Sequence, residues 1–493
     1  MRLLLTTALL VAPWVYLPSH GPTPQVERWL LSAMAAAGTL LWVPLLPKPQ
    51  RARTLAQLLC LSLLSAALLS TVAAAIQYFG WSQAWQPLIS ATNEGTAHAN
   101  LLQRNQFATL TVLGLAALLY LVDCPRGKAC STAALSAAAL LGAGNALASS
   151  RIGLVELVAL IALVWRRPAA DPASSYSLLK AAATGYALVS GGVELVGFGG
   201  GIVGRFLEHA PCASRLVLWD NVLYLISQKP WAGWGIGELG YAHFLTLYPG
   251  ARFCDIVDNA HNLPLHVAVE FGVPLASVAC AVLLWWILSV RPWREPNLQR
   301  QLAFALLLAL GLHSMVEYPL WYGPFQLSFA IALWILWETR TYTSIPMDTG
   351  CQHLLNAWVA RLTSCVLLVA ASYVAWDYWR VSQIYLPSDA RAAGYREDTL
   401  LKIQSSSLFR NQVRFAELSI TEVSPENAER TFALATDMLH FSSEPMVVEK
   451  LLESALLLRR SDDLAFYLER YRHAFPTQHA LWVARNASRL PSG

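Results

Sequence analysis

Residues 213–272 read ASRLVLWDNVLYLISQKPWAGWGIGELGYAHFLTLYPGARFCDIVDNAHNLPLHVAVEFG. This is the long polar interruption, ahead of the C-terminal tail, of an otherwise apolar chain. It ends on Asp258-Asn259-Ala260-His261-Asn262, where apolar sequence resumes. A histidine at the lip of an apolar run is placed for chemistry at a membrane surface. The same stretch carries Ser214-Arg215 followed by Trp219, and a turn built on Pro230, Gly233, Gly235 and Gly237.

Outside this stretch the chain is oily. It has 493 residues, 55% hydrophobic and 13% charged, whereas a soluble domain carries about a quarter charged residues. Apolar runs at about 3–19, 28–46, 55–77, 105–122, 131–148, 152–165, 176–196, 262–290, 301–316, 323–338 and 360–377 predict eleven membrane helices. The first has Arg2 ahead of its apolar core but no small-x-small cleavage site, and a second run follows soon, so it reads as a span and not a leader. Lys48, Arg51 and Arg53, then Arg126 and Lys128, then Arg166 and Arg167, then Arg291, Arg294 and Arg300 fall in alternate loops, which the positive-inside rule puts in the cytoplasm. Residues 77–104, 149–151, 197–261 and 313–323 then face outward, and so does the C-terminus. The net charge of +4 sits largely in the inner loops and implies topology, with no nucleic-acid partner.

The cysteines sort by side. Cys124, Cys130 and Cys351 fall in inner loops, and Cys60, Cys280 and Cys365 in spans. Cys212 and Cys254 share the long outer loop, where an oxidising periplasm lets them pair. No C-x-x-C or zinc spacing occurs. From about Leu386 charges become dense and apolar residues recur at helical spacing, as in 426–441, 447–459 and 462–475. The expected division is a transmembrane domain over 1–378, with its long periplasmic loop at 197–261, and a periplasmic helical domain of tetratricopeptide-like pairs over 386–493.

The ordered boxes resemble the O-antigen ligase and polymerase superfamily of bacterial membrane glycosyltransferases. That family's pattern is S-R-x-x-x-W, then P-x-x-G-x-G-x-G, then H-N with a glycine about ten residues on, here Ser214-Arg215 with Trp219, Pro230 to Gly237, and His261-Asn262 with Gly272. The box from His313 to Tyr322 looks like that of the PglL branch, the protein O-oligosaccharyltransferases. The resemblance spans roughly residues 80–340. It also covers Ser150-Arg151, comparable to a family S-R box, and Asn105 at the mouth of the fourth span.

The residue types suit that chemistry. Arginine offers phosphate oxygens planar, bidentate donors and stays charged, so Arg151 and Arg215 are candidates to hold a lipid pyrophosphate in place of a divalent metal. Histidine titrates nearest neutral pH, so His261 is the candidate general base for an acceptor hydroxyl, with Asn262 beside it. His313, Glu317, Tyr318 and Tyr322 would orient the acceptor or His261. Asp255 and Asp258 are the nearest approach to an acidic metal site, and the expectation is no metal and no cofactor. Each feature also has a plain structural reading. Interfacial arginines snorkel to headgroups, a lone histidine is a polar cap, and Pro230 to Gly237 is a turn. Trp219, Trp231 and Trp234 suit an aromatic belt, the preferred reading for two of the three, and Glu156 suits a structural partner for a cation.

The expectation is thus an all-α, polytopic inner-membrane transferase. It would move a glycan from undecaprenyl pyrophosphate to a Ser/Thr hydroxyl of a pilin or periplasmic protein, with inversion. A ligase acting on lipid A-core, a glycan polymerase, and a lipid-linked-sugar transporter drawing on Glu156, Lys180 and Glu194 remain as alternatives.

Overall fold

A computed structural model describes residues 1–17, 21–23, 25–123, 131–168, 171–196, 201, 212–340 and 350–489. Arg126, Lys128, Cys124, Cys130 and loop residues 197–200 and 202–211 lie outside them. Every element among the described residues is helical. The helices are α1 (Arg2–Val15), α2 (Gln25–Leu40), α3 (Lys48–Tyr78), α4 (Arg104–Asp123), α5 (Thr132–Leu147), α6 (Arg151–Arg166), α7 (Pro172–Val196), α8 (Arg215–Gln228), α9 (Leu239–Leu245), α10 (Leu263–Phe271), α11 (Val273–Val290), α12 (Leu298–His313), α13 (Gly323–Glu338) and α14 (Gly350–Ser382). The tail adds α15 (Thr399–Ile403), α16 (Arg410–Ile420), α17 (Ala428–Met438), α18 (Pro445–Leu457), α19 (Ser461–Ala474) and α20 (Pro476–Asn486).

Five of these helical stretches are long and apolar enough to cross a bilayer: Gln25–Leu45, Gln50–Tyr78, Arg104–Asp123, Val273–Arg294 and Ala357–Tyr385. The chain is a membrane protein. The other expected spans coincide with α1, α5, α6, α7, α12 and α13, of which α1, α5 and α12 are apolar but shorter. One expected span is corrected. The run 262–290 is broken at Gly272, so α10 stands apart and the membrane-length helix starts at Val273. That helix is apolar all round and almost none of it is buried among the described residues, as suits a helix facing lipid.

The chain divides into two compact units. The membrane unit comprises Met1–Ser19, Thr23–Glu208 and Ile287–Ala375. Its post is α4, 83% buried and in contact with α3, α5, α6 and α12. The turn leading into α4 is tied by two buried amides. Gln77 Nε2 donates to the Ser90 and Ala99 carbonyls, both at 3.0 Å, and its Oε1 accepts from Ala99 N at 2.7 Å. Asn100 Nδ2 donates to the carbonyls of Val15 at 2.7 Å and Leu88 at 2.8 Å. The buried Arg28 guanidinium donates to the Asn100 and Leu101 carbonyls. These bonds satisfy backbone groups that lipid cannot, and they fix where Asn105 begins its helix.

The second unit joins His209–Trp286 to Trp376–Gly493 with residues His20–Pro22. The long loop is therefore grouped with the tail. One of its cores packs Leu218, Val222 and Leu225 of α8 against Leu239 and Ala242 of α9 and Val269 of α10. The other is the tail's, built on Leu418, Phe432, Leu451, Tyr471 and Trp482, and Phe244 of α9 is one of its members. Burying a phenylalanine side chain contributes roughly 1.5–3 kcal/mol, and Arg470 Nε also donates to the Leu245 carbonyl at 3.0 Å, so α9 joins the loop to the tail by packing and by a hydrogen bond. Cys212 and Cys254 form a disulfide with Cα atoms 5.4 Å apart.

Candidate functional site

In the membrane unit the candidate residues are held by other side chains. Asn105 Nδ2 donates to Glu317 Oε1 at 3.1 Å, and Ser150 Oγ donates to Asn105 Oδ1 at 2.8 Å. Ser150 also caps α6, accepting from Gly153 N at 3.2 Å, and Arg151 follows as an exposed first helical residue. Deeper in the bundle Thr109 Oγ1 lies 2.8 Å from Glu156 Oε1 and 2.7 Å from His313 Nδ1. The Glu156 and His313 side chains are fully buried and 4.0 Å apart at their nearest polar atoms. His313 is thus enclosed within the bundle, with Thr109 and Glu156 as polar neighbours. Glu156 meets a threonine hydroxyl and a histidine where sequence suggested a cation. Tyr318 and Tyr322 stack at 5.8 Å between ring centres, close to the surface, and Trp29 Nε1 donates to the Trp321 carbonyl at 2.9 Å.

In the loop the backbone does the holding. Ser214 caps α8 by accepting from Val217 N at 3.3 Å, so Arg215 is again the first residue of a capped helix. Trp219, one turn on, donates its indole N–H to the Ala260 carbonyl at 3.1 Å and ties α8 to the residue before His261. His261 has φ +50°, in the left-handed region, and its amide donates to Asn259 Oδ1 at 2.8 Å. Histidine visits that region more readily than most residues. Asn262 then caps α10, accepting from Leu265 N at 3.1 Å.

The two glycine-bearing boxes form one clasp. Trp234 N donates to the Val269 carbonyl at 2.8 Å, Gly235 N to the Glu270 carbonyl at 3.1 Å, and Gly237 N to Glu270 Oε1 at 2.8 Å. Val273 N returns a bond to the Pro230 carbonyl at 2.8 Å. A Cβ on Gly233 would lie 2.4 Å from the Glu270 carbonyl carbon, and one on Gly272 would lie 2.2 Å from the Trp231 carbonyl oxygen. The clasp closes only with glycine at both places. Trp219 and Trp234 pack on the loop core, Trp234 donating to the Leu225 carbonyl at 2.9 Å, while Trp231 is 81% exposed. Two of the three tryptophans are thus internal pegs, which corrects the aromatic-belt reading.

Beside the clasp, His243 is buried between Tyr248 Oη at 2.8 Å and the Phe253 carbonyl at 3.2 Å. A carbonyl only accepts, so Nε2 carries the proton and Nδ1 takes the tyrosine hydroxyl. Burial, helped by the Arg252 charge, pulls its pKa down to about 3. Among the described residues, no group of three or more His, Cys, Asp or Glu side chains is placed to share a metal ion.

Three family models match in chain order: "Protein glycosylation ligase" over residues 97–122, "O-Antigen ligase" over 135–280, and "Virulence factor membrane-bound polymerase, C-terminal" over 301–489. Their order along the chain is similar to the O-antigen ligase superfamily, with the first match on its protein-glycosylation side. A relative, the "General O-oligosaccharyltransferase" of Acinetobacter baylyi (strain ATCC 33305 / BD413 / ADP1), is 24% identical over 337 residues. The alignment covers 65% of this chain and 57% of that relative. The "O-Antigen ligase" match contains Arg151, Arg215, the glycine clasp and His261, whereas Asn105 lies in the first match and His313 to Tyr322 in the last.

Sequence reasoning passed over Thr109, His266 and Glu270, and named Ser150 without its capping role. A threonine inside an apolar helix carries no signal. His266 and Glu270 did, since they stand four apart on a helix, 3.6 Å between polar atoms, and Glu270 anchors the clasp.

Proposed function

We propose that this protein is a glycosyltransferase that moves a glycan from a polyprenyl (undecaprenyl) pyrophosphate to a Ser/Thr hydroxyl of a protein, either a pilin or a periplasmic protein. One observation carries the reading. Each chemical box sets an ionisable side chain at a polar-capped helix start: Ser150 then Arg151 on α6, Ser214 then Arg215 on α8, His261 then Asn262 on α10. Helix starts present free N–H groups and the positive end of the dipole, which suits anions. Arg151 and Arg215 bind the pyrophosphate. His261 takes the acceptor proton, the hydroxyl oxygen attacks the anomeric carbon, and the bond to the leaving phosphate breaks on the opposite face, giving inversion. The pyrophosphate departs with the electron pair, its charge met by guanidinium groups and not by metal.

The further reading is eleven spans in the bacterial inner membrane, with His261 and the C-terminus in the periplasm. The Cys212–Cys254 disulfide supports an oxidising side for the loop. The tail helices, in sequential contact, suit tetratricopeptide-like stacking that presents a protein acceptor. A polymerase or a lipid A-core ligase is the second reading, favoured by the polymerase and ligase descriptions of two matching models.

The test is purified full-length protein with polyprenyl-pyrophosphate glycan and three acceptors: pilin, lipid A-core and free glycan. A mass shift on the pilin, unaffected by EDTA, is expected. Transfer to lipid A-core or glycan alone moves the protein to the second reading. EDTA inhibition rescued by magnesium or manganese overturns the metal-free step.

A further inference from the structure

This inference rests on Arg151 as a donor-binding cation and extends it to the residues that hold that cation. Glu317 follows the end of α12, Asn105 opens α4, and Ser150 caps α6. Their bonds run in one direction. The Glu317 carboxylate oxygen accepts, so the amide nitrogen of Asn105 faces it and the amide oxygen faces Ser150. Ser150 has one hydroxyl proton, and Asn105 takes it. The lone pairs of Ser150 are then left for Gly153 N–H at the helix start. Ser150 is 2% exposed and Glu317 8%, so water competes little for these bonds.

A second observation comes from the backbone. The chain enters this cap through Ser149 at φ +47°. A non-glycine residue is strained there and persists where its neighbours fix it. The relay fixes the next residue, and Arg151 follows directly.

We propose that Glu317, acting through Asn105 and Ser150, is a positioning residue for Arg151. It thereby sets affinity for the pyrophosphate end of the donor. This role differs from the one suggested by sequence, in which Glu317 orients the acceptor or His261.

The test uses the full chain in lipid nanodiscs, with donor and acceptor varied separately. Glu317→Ala should raise KM for the lipid-linked donor about tenfold, the size of one lost buried hydrogen bond, and leave acceptor KM unchanged. Glu317→Gln keeps an accepting oxygen and should keep donor KM. Asn105→Asp should raise donor KM, and adding Glu317→Gln should restore it, because the new amide can donate to the new carboxylate. A residue needed only for folding gives no such rescue. Arg151→Ala with Glu317→Ala should be no worse than Arg151→Ala alone. A change confined to acceptor KM, absence of rescue, or multiplying effects in the double variant overturns the relay. If Arg151→Ala leaves donor KM unchanged, the pyrophosphate reading fails instead. If Arg151→Ala raises donor KM and Glu317→Ala does not, the relay alone fails.

Discussion

The membrane unit and the loop–tail unit hold their candidate residues by opposite means. In the first, side chain fastens side chain: Glu317 to Asn105 to Ser150, and His313 to Thr109 to Glu156. In the second, the backbone is a partner in each hydrogen bond: a turn at 230–237 stitched to the end of α10, the His261 amide held by Asn259 and the Ala260 carbonyl held by Trp219, with a side-chain disulfide in the same loop. Burial in lipid accounts for the difference. Helices in a bilayer have already paired their N–H and C=O groups, so only side chains are left to position anything. A loop outside the bilayer has backbone donors and acceptors available, and glycine lets them meet closely.

The largest expected effect is at the residue the loop presents. His261→Ala should lower transfer 10²–10⁴-fold, the usual contribution of a general base, with the loop still folded by hydrogen exchange. More than about a tenth of activity retained removes His261 from that role. The clasp comes next. Gly272 has φ +91° and ψ 160°, a combination open to little but glycine, and its Cβ would strike the Trp231 carbonyl oxygen. Gly272→Ala should destabilise the loop by about 3 kcal/mol or more, seen as faster exchange across 230–272. The contrast is sharp, since the Glu317 relay variants should change donor KM and leave protection alone. Equal effects of both kinds on exchange would dissolve the distinction between the units.

Acid should separate the units as well. His243 is held neutral by burial, its folded pKa about 3 against 6.5 unfolded. Between those values the unfolded chain binds a proton that the folded loop refuses. Stability is therefore complete above about pH 6.5 and falls with pH by up to about 1.4 kcal/mol per unit. Exchange protection around α9 should decline over that window, and His243→Asn should flatten the decline. A pH-independent profile in the unsubstituted protein would show that His243 is not held neutral.

Much of the arrangement is legible in the chain because it is local. Arg151 and Arg215 read as cations, His261 as a polar residue at the lip of an apolar run, and apolar runs as helices, and each depends on a few neighbouring residues. What escapes is long-range or unmarked. Gly272 belongs to the H-N box, but nothing in its 29-residue apolar run shows that it breaks the helix and that the 230–237 turn closes on it. Thr109 has no distinguishing context, yet it touches both Glu156 and His313. Trp219 and Trp234 resemble membrane-belt residues by composition, and only tertiary hydrogen bonds reveal them as internal pegs. The grouping of loop with tail is the farthest from view, since it turns on Phe244 packing more than 150 residues away from its neighbours.

That grouping yields the smallest effect and decides how the tail is to be tested. Removing residues after about 388 would strip the cover from Phe244, so a truncation reports folding before it reports acceptor choice. Point variants at the same junction avoid this. His440 Nδ1 lies 2.7 Å from Glu238 Oε2, and its ring stacks on Tyr241 at 3.8 Å. The pair is conspicuous but its side chains are 45% and 30% exposed, and exposed pairs contribute about 0–1 kcal/mol. Glu238→Gln should thus change stability by less than about 1 kcal/mol, measured by thermal unfolding of the full chain. It leaves Phe244 in place and still alters the loop–tail junction within reach of the glycine turn. Transfer to protein should fall in this variant while donor hydrolysis holds, if the tail presents the acceptor. Unchanged transfer would mean that the tail serves the loop as a packing partner and nothing more.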